Sequence, residues 1–249
     1  NYGNVKAMTY ASGICGGSQS GKSITTYNYL IEDCLNSGKL STTNGVGSAG
    51  IAGSYSGAIK NCNNNGNVDD TQGTAKSKQY TAGIVSCASF AVDIEGCYNR
   101  GAISGVKNVG GIVGNVMKGD EAATVIKNCR NDGSVSGQDM YVAGIVANSA
   151  RKEGVVSVVS CTNNGEVTST GTTEFIGNLR GNTNIALGEG NVIGAGLKAL
   201  PLDPAKETGI DNTNVNTGNT TNGVFLRNGQ IVIVKNNKKY TISGIEIAE

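Results

Sequence analysis

The sequence predicts an all-β chain in which a right-handed parallel β-helix, a solenoid of about five to six coils, precedes a small antiparallel β meander. Two observations predict the solenoid. One phrase recurs five times at a spacing of about thirty residues, and β-branched residues hold its apolar positions. A third observation predicts the meander, because the end of the chain alternates apolar and polar residues around short turns.

The recurring phrase has the form Ile-x-x-Cys-x-Asn-x-Gly-x-Val, with close substitutes in its first and last positions. Its copies span Ile31–Leu40, Ile59–Val68, Ile94–Ile103, Ile126–Val135 and Val158–Val167. A second phrase, a small residue followed by Gly-Ile, lies between them and ends at Ile14, Ile51, Ile84, Ile112 and Ile145. Asn1–Val5 match the back half of the first phrase, so we expect a further coil to precede the chain as given.

Both phrases are too short for helices, and 38 glycines with only two prolines favour short strands joined by tight turns. We expect roughly three strands per coil, stacked in parallel about 4.8 Å apart with right-handed crossovers. The three-residue spacing of Ile and Cys fits neither a strand nor a helix, which predicts a bend between them.

Stacking in register would place the five phrase cysteines in one column and the five asparagines in another. A vertical spacing of about 4.8 Å exceeds the Cβ separation of ~3.8 Å that disulfides prefer, so we expect free, buried thiols. The asparagine amides are expected to bond between layers, and the glycine two residues later to supply a turn with φ > 0.

Composition excludes several classes of function. The net charge of +1, without a basic block, argues against a nucleic-acid partner, and no apolar run is long enough to cross a membrane. The absence of histidine excludes Ser-His and Cys-His catalysis and imidazole zinc sites. Gly16–Ser23 matches the phosphate-loop pattern, but a poor helix start follows it, so we predict no nucleotide site and no cofactor.

Two features are candidates for ligand binding. Tyr10, Tyr80 and Tyr141 occupy one repeat position in alternate coils and would stack sugars if they face solvent; alternatively, each covers a corner of its own coil. Insertions in the repeat predict protruding loops at Ser18–Thr26, Asp69–Gln79, Met117–Ala123 and Ser149–Gly154. The charged residues of the last two are mixed in sign, which is typical of a solvated loop: Lys118, Asp120, Glu121, Arg151, Lys152 and Glu153.

The domain organisation follows from where the phrases stop. Residues 1–180 are predicted to form the β-helix, starting mid-coil, and residues 181–223 a cap and an Asn/Thr/Gly-rich linker. Residues 224–249 are predicted to form the meander, with turns at Asn228–Gly229 and Asn236–Asn237.

The alternation of the two phrases, clearest at Val109–Gly114 and Ile126–Val135, resembles the GLUG-type repeats of bacterial cell-surface proteins, notably from Bacteroidetes. The tail from Asn228 to Ile247 is similar to C-terminal sorting or attachment segments of secreted Bacteroidetes proteins. The resemblance implies an exported, extracellular or cell-surface protein. We therefore expect a non-catalytic, adhesin-like module that binds a glycan or a host protein and self-associates through its open coil end. The alternatives are a β-helix polysaccharide lyase or hydrolase, by analogy of fold, and a passive spacer.

Overall fold

A computed structural model describes residues 1–17, 29–44, 46–72, 79–117, 123–171, 175–197, 222–227, 230–235 and 238–241. All regular elements in these ranges are β-strands. Within the same ranges there is no helix with the length and apolar character that a membrane crossing requires. The chain divides into two compact units, Asn1–Ile210 and Asp211–Glu249.

The first unit is a parallel β-helix with four sheets. Sheet A contains Val5–Ala7, Leu40–Thr42, Val68–Asp69, Ile103–Gly105, Val135–Gly137 and Val167–Ser169. Sheet B contains Tyr10–Ser12, Gly47–Ala49, Tyr80–Ala82, Val109–Gly110, Val142–Ala143 and Ile176–Gly177. Sheet C contains Cys15–Gly17, Leu30–Glu32, Ala52–Lys60, Val85–Glu95, Val113–Val116, Thr124–Lys127, Val146–Ser149, Val156–Val159 and Ile185–Leu187. Sheet D contains Leu35–Asn36, Asn63–Asn64, Tyr98–Asn99, Arg130–Asn131, Thr162–Asn163 and Val192–Ile193.

Each coil visits the sheets in the order A, B, C and D, and every strand pair in these sheets is parallel. The predicted solenoid is thereby confirmed, but with four sheets where the sequence suggested three strands per coil. The register confirms the repeat, since Ile59 pairs with Ile94 and Asn64 pairs with Asn99.

The bend predicted between Ile and Cys is confirmed. The residue immediately before each phrase cysteine has a left-handed backbone, with φ between 51° and 62°: Asp33, Asn61, Gly96, Asn128 and Ser160. Asn, Asp and Gly tolerate this conformation best, which explains four of the five choices.

The glycine of Asn-x-Gly was expected to supply the positive φ, and this is wrong, because none of these glycines lies in the left-handed region. Gly101 is required for close approach instead. A β-carbon there would collide with the carbonyl of Gly66 and with the amide of Asn64.

The core is split into two apolar clusters. Inward residues along one coil run Cys129, Asn131, Gly133 and Val135; the cysteine belongs to the first cluster and the valine to the second. The buried asparagines therefore lie between the clusters, where each meets a glycine of the Gly-Ile phrase, as Asn131 meets Gly111. A column of amides against a column of glycines therefore separates the two apolar clusters.

The amide column is continuous. Each side-chain Nδ2 donates to the carbonyl of its own Gly at 2.8–3.0 Å, and every Nδ2 except that of Asn163 also donates to the Oδ1 of the next coil at 2.7–2.8 Å. Its members are Asn1, Asn36, Asn64, Asn99, Asn131 and Asn163. The predicted bonding between layers is thus confirmed.

Parallel pairing continues past residue 180, through Ile185–Leu187 and Val192–Ile193. There Asn191 follows the cysteine column and donates its amide to the carbonyl of Val158 at 2.9 Å. A polar donor thereby replaces the thiol in a coil whose sequence no longer matches the phrase.

The second unit contains the predicted antiparallel meander. Its strands are Asn222–Arg227, Gln230–Lys235 and Lys238–Thr241, and consecutive strands pair antiparallel. The predicted turns at Asn228–Gly229 and Asn236–Asn237 lie outside the described residues.

Candidate functional site

The outward side of sheet D displays the variable positions of the Cys-x-Asn-x-Gly phrase. Strand residues alternate between two faces, so burial of Cys129, Asn131 and Gly133 turns Arg130 and Asp132 outward. We call this surface the sheet D face and define it by Asn63, Asn65, Tyr98, Arg100, Arg130, Asp132 and Asn164. Its side chains can vary without altering the inward residues that specify the fold.

Asp132 is the centre of a hydrogen-bonded cluster that joins three coils. Its Oδ1 accepts from Nε of Arg130 at 2.7 Å and from Nδ2 of Asn164 at 2.8 Å, and its Oδ2 accepts from the hydroxyl of Tyr98. Partial burial alone would raise the pKa of Asp132, but these three donors and the Arg130 charge outweigh it and hold the pKa below its ordinary value. The carboxylate is therefore ionised and compensated by Arg130.

Arg100 is positioned by neutral groups. Its guanidinium carbon lies 3.8 Å from the ring centroid of Tyr98, and Nη1 donates to Oδ1 of Asn65 at 3.3 Å. The Arg130 guanidinium is also near this ring, at 5.2 Å. Tyr98 thus fixes two arginines through its ring and one aspartate through its hydroxyl.

This arrangement presents both donors and acceptors of hydrogen bonds on one exposed surface. Guanidinium groups and amides present N–H donors, and amide oxygens accept hydrogen bonds from hydroxyls. Polar groups of these kinds orient a bound hydroxylated ligand. Within the described ranges, no three His, Cys, Asp or Glu side chains are grouped so as to hold a metal ion.

The predicted tyrosine row does not form one exposed surface. Register places Tyr10 and Tyr80 on either side of Gly47 in sheet B, as the alternate-coil spacing required. However, Tyr80 is only 9% exposed, and burial raises its pKa to about 12. The Tyr10 ring covers Gly47, where a β-carbon would approach ring carbons to 3.0 Å.

Tyr141, the third member, packs at its own corner. Its ring centroid lies 4.8 Å from that of Phe175, and Lys107 lies 5.9 Å from the ring. The alternative in which each tyrosine covers part of its coil accounts for these contacts better than a row of sugar platforms.

The predicted loop edge is described only in part. Ser18–Thr26, Lys118, Asp120 and Glu121 lie outside the described residues, as does the whole of the phosphate-loop pattern after Gly17. In the remaining insertion Arg151 is 5% exposed and donates Nε to the carbonyl of Met117 at 2.9 Å. The expectation of a purely solvated loop is wrong at Arg151, whose guanidinium ties two coils together.

All seven cysteines are free thiols. In the column, the Sγ of Cys129 approaches the carbonyls of Lys127 at 3.2 Å and of Ile94 at 3.7 Å. Burial raises the pKa of this thiol, which disfavours the reactive thiolate. Cys62, Cys97, Cys129 and Cys161 are all buried with Sγ on a backbone carbonyl, so the column fills a tight interior corner.

One carboxyl is buried away from the sheet D face. Asp70 is 1% exposed, and its Oδ1 accepts from Thr42 N at 2.8 Å, Thr42 Oγ1 at 3.0 Å and Ser48 Oγ at 2.9 Å. Its Oδ2 accepts from Thr81 Oγ1 at 3.2 Å. Burial raises the pKa of Asp70 despite these bonds. The group joins sheets A and B through Thr42, Ser48 and Thr81.

The sheet D face was not predicted from the sequence, because its residues occupy the variable x positions of the phrase and not the fixed ones. The residues at these x positions are the ones that identify the face. When the copies of the phrase are aligned, Tyr98 and Arg130 occupy the same x position in successive coils, and Asp132 occupies the next x position beside Arg130.

Comparisons with protein-family models, curated proteins and solved structures found no match for this chain.

Proposed function

We propose that the chain is a non-catalytic, adhesin-like binding module, exported to the cell surface, that recognises a glycan through the sheet D face. The observation that carries the proposal is the cluster of Tyr98, Arg130 and Asp132 with Arg100 stacked beside it. Fixing long charged side chains costs rotamer entropy, and exposed ion pairs return little stability. A surface ordered in this way is better explained by recognition than by folding.

The surroundings of the cluster support a sugar ligand. Asn63 and Asn65 lie on the preceding coil and Asn164 on a following one. Their amides offer both donors and acceptors to hydroxyls, while the Tyr98 ring gives an apolar surface beside them. The solenoid repeats this frame at about 4.8 Å per layer, which suits an extended polymer laid across the coils.

A lyase or hydrolase remains an alternative from fold analogy alone. It would need acids that converge on one face. On the outer side of sheet C the paired positions instead alternate in charge, as Glu32, Lys60, Glu95 and Lys127, and Glu95 lies 3.2 Å from Lys127. Such a ladder favours mutual neutralisation over acid–base chemistry.

A glycan array probed with the chain, Tyr98→Ala and Tyr141→Ala tests the proposal. Loss of a glycan signal by about tenfold or more in Y98A, with Y141A unchanged, is the expected result, since stacking and the Asp132 contact are lost together. Loss only in Y141A would move the site to the tyrosine positions. No signal for any glycan would overturn the proposal in favour of a spacer or a protein ligand. Circular dichroism establishes that both variants retain their strands.

A further inference from the structure

Within the described part of the chain Arg100 has no carboxylate partner, in contrast to Arg130, the other cation of the sheet D face. Among the described residues, ion pairs join Arg130 to Asp132 at 2.7 Å and Lys127 to Glu95 at 3.2 Å. The contacts of Arg100 are the Tyr98 ring and the amide oxygen of Asn65. Its positive charge is therefore held in place without being neutralised by any carboxylate among the described residues.

The stacked geometry leaves the edge of the guanidinium available. Stacking uses the face of this planar group, and Asn65 engages only Nη1. An arginine fork binds an oxyanion through parallel N–H groups on its edge, and prior stacking reduces the entropy lost when it does so. Arg100 is exposed, so an anion reaches it from solvent.

The charge balance of the face points the same way. Asp132 is ionised and compensated by Arg130, so the seven defined residues leave one net positive charge, at Arg100. Amides surround that charge, with Asn63 and Asn65 on the preceding coil. One anionic group among hydroxyls is the complementary ligand pattern, as in a sugar bearing a carboxylate or a sulfate ester.

We propose that the sheet D face binds an acidic polysaccharide, and that Arg100 receives the carboxylate or sulfate oxygens of one sugar residue. This rests on the proposed glycan-binding function and names the class of ligand.

Paired polymers that differ only in charge test the inference. Binding of the full chain to polygalacturonate is compared with its methyl ester, and binding to dextran sulfate with dextran, by affinity electrophoresis and biolayer interferometry at low and moderate salt. The acidic member of at least one pair is expected to bind at least tenfold more tightly, with weakening as salt rises. Which pair responds distinguishes carboxylate from sulfate.

Three variants separate a local contact from general charge attraction. Arg100→Gln removes the charge and the fork, and Arg100→Lys keeps only the charge. Lys6→Gln removes an exposed positive charge from sheet A, away from the face. R100Q is expected to weaken acidic-polymer binding by about tenfold or more, R100K by an intermediate factor, and K6Q by less than twofold.

Equal binding of acidic and neutral polymers, or equal effects of R100Q and K6Q, would overturn this inference while leaving a glycan-binding function intact. Failure of all four polymers and of every array glycan would remove the proposed function itself.

Discussion

Replacing the central member of the amide column, Asn99→Ala, is expected to destabilise the solenoid strongly. Asn99 is fully buried and accepts from Nδ2 of Asn64 at 2.8 Å. It also donates to Oδ1 of Asn131 at 2.7 Å and to the carbonyl of Gly101 at 2.9 Å. The substitution removes all three bonds and leaves buried polar atoms of both neighbouring coils without these partners.

The cost follows from those three bonds. Each contributes about 1 kcal/mol net, and a buried group left unsatisfied costs about 1–3 kcal/mol, so N99A should lose about 3–6 kcal/mol. That is a large part of a typical unfolding free energy of about 5–15 kcal/mol. Urea denaturation followed by circular dichroism measures the difference between N99A and the parent chain.

The matched control is Asn65→Ala, which removes the same side chain from the outward side of sheet D. Asn65 is exposed and accepts one bond, from Arg100 at 3.3 Å, so N65A should change the free energy of unfolding by less than about 0.5 kcal/mol. A second variant, Asn99→Asp, keeps the volume but replaces the donor with a carboxylate facing two acceptors. It should be at least as destabilising as N99A at neutral pH. If N99A and N65A lose similar stability, the amide column does not stabilise the fold and the reasoning is refuted.

Two further predictions concern packing and charge in the interior. Gly83→Ala places a β-carbon against the Asn99 side chain and the carbonyl of Gly111, so we expect the free energy of unfolding, measured by urea denaturation, to fall by about 1–3 kcal/mol. In the control, Gly16→Ala, the β-carbon meets no atom within 4 Å, and stability should not change. Similar losses in the two variants would contradict the close-approach argument. Burial raises the folded-state pKa of Asp70 above 3.8, so its contribution to stability is complete below that pH and is lost as pH rises through the folded-state pKa. Asp70→Asn should therefore reduce the loss of stability as pH rises above about 4, and an unchanged pH profile would show that Asp70 is not the group responsible.

The repeat made much of the fold predictable. Fixed Ile, Cys and Asn positions at one spacing require stacking in register, and the pairing of Asn64 with Asn99 follows from that requirement. The number of sheets was harder to predict, because the two-residue strands of sheet D are too short to show an alternating pattern in the sequence. The glycines were misinterpreted for a related reason: a turn glycine and a close-approach glycine are identical in sequence, and only the position of Gly66 above Gly101 distinguishes them.

The candidate site was less predictable than the fold. Tyr10, Tyr80 and Tyr141 were singled out from their spacing, but spacing does not determine exposure, and Tyr80 is buried at a corner. Tyr98 and Arg130 belong to positions that vary from copy to copy, so the pattern that revealed the fold concealed them.

The sequence by itself determined a parallel solenoid with columns of thiols and amides, because identical inward residues at a constant interval must stack when strands pair in register. Only the tertiary structure decided that the amide and glycine columns divide the core in two, and that residues from successive coils meet on the sheet D face. The reason is physical: contacts between coils join residues about thirty positions apart, and their side-chain partners depend on which face each strand turns outward.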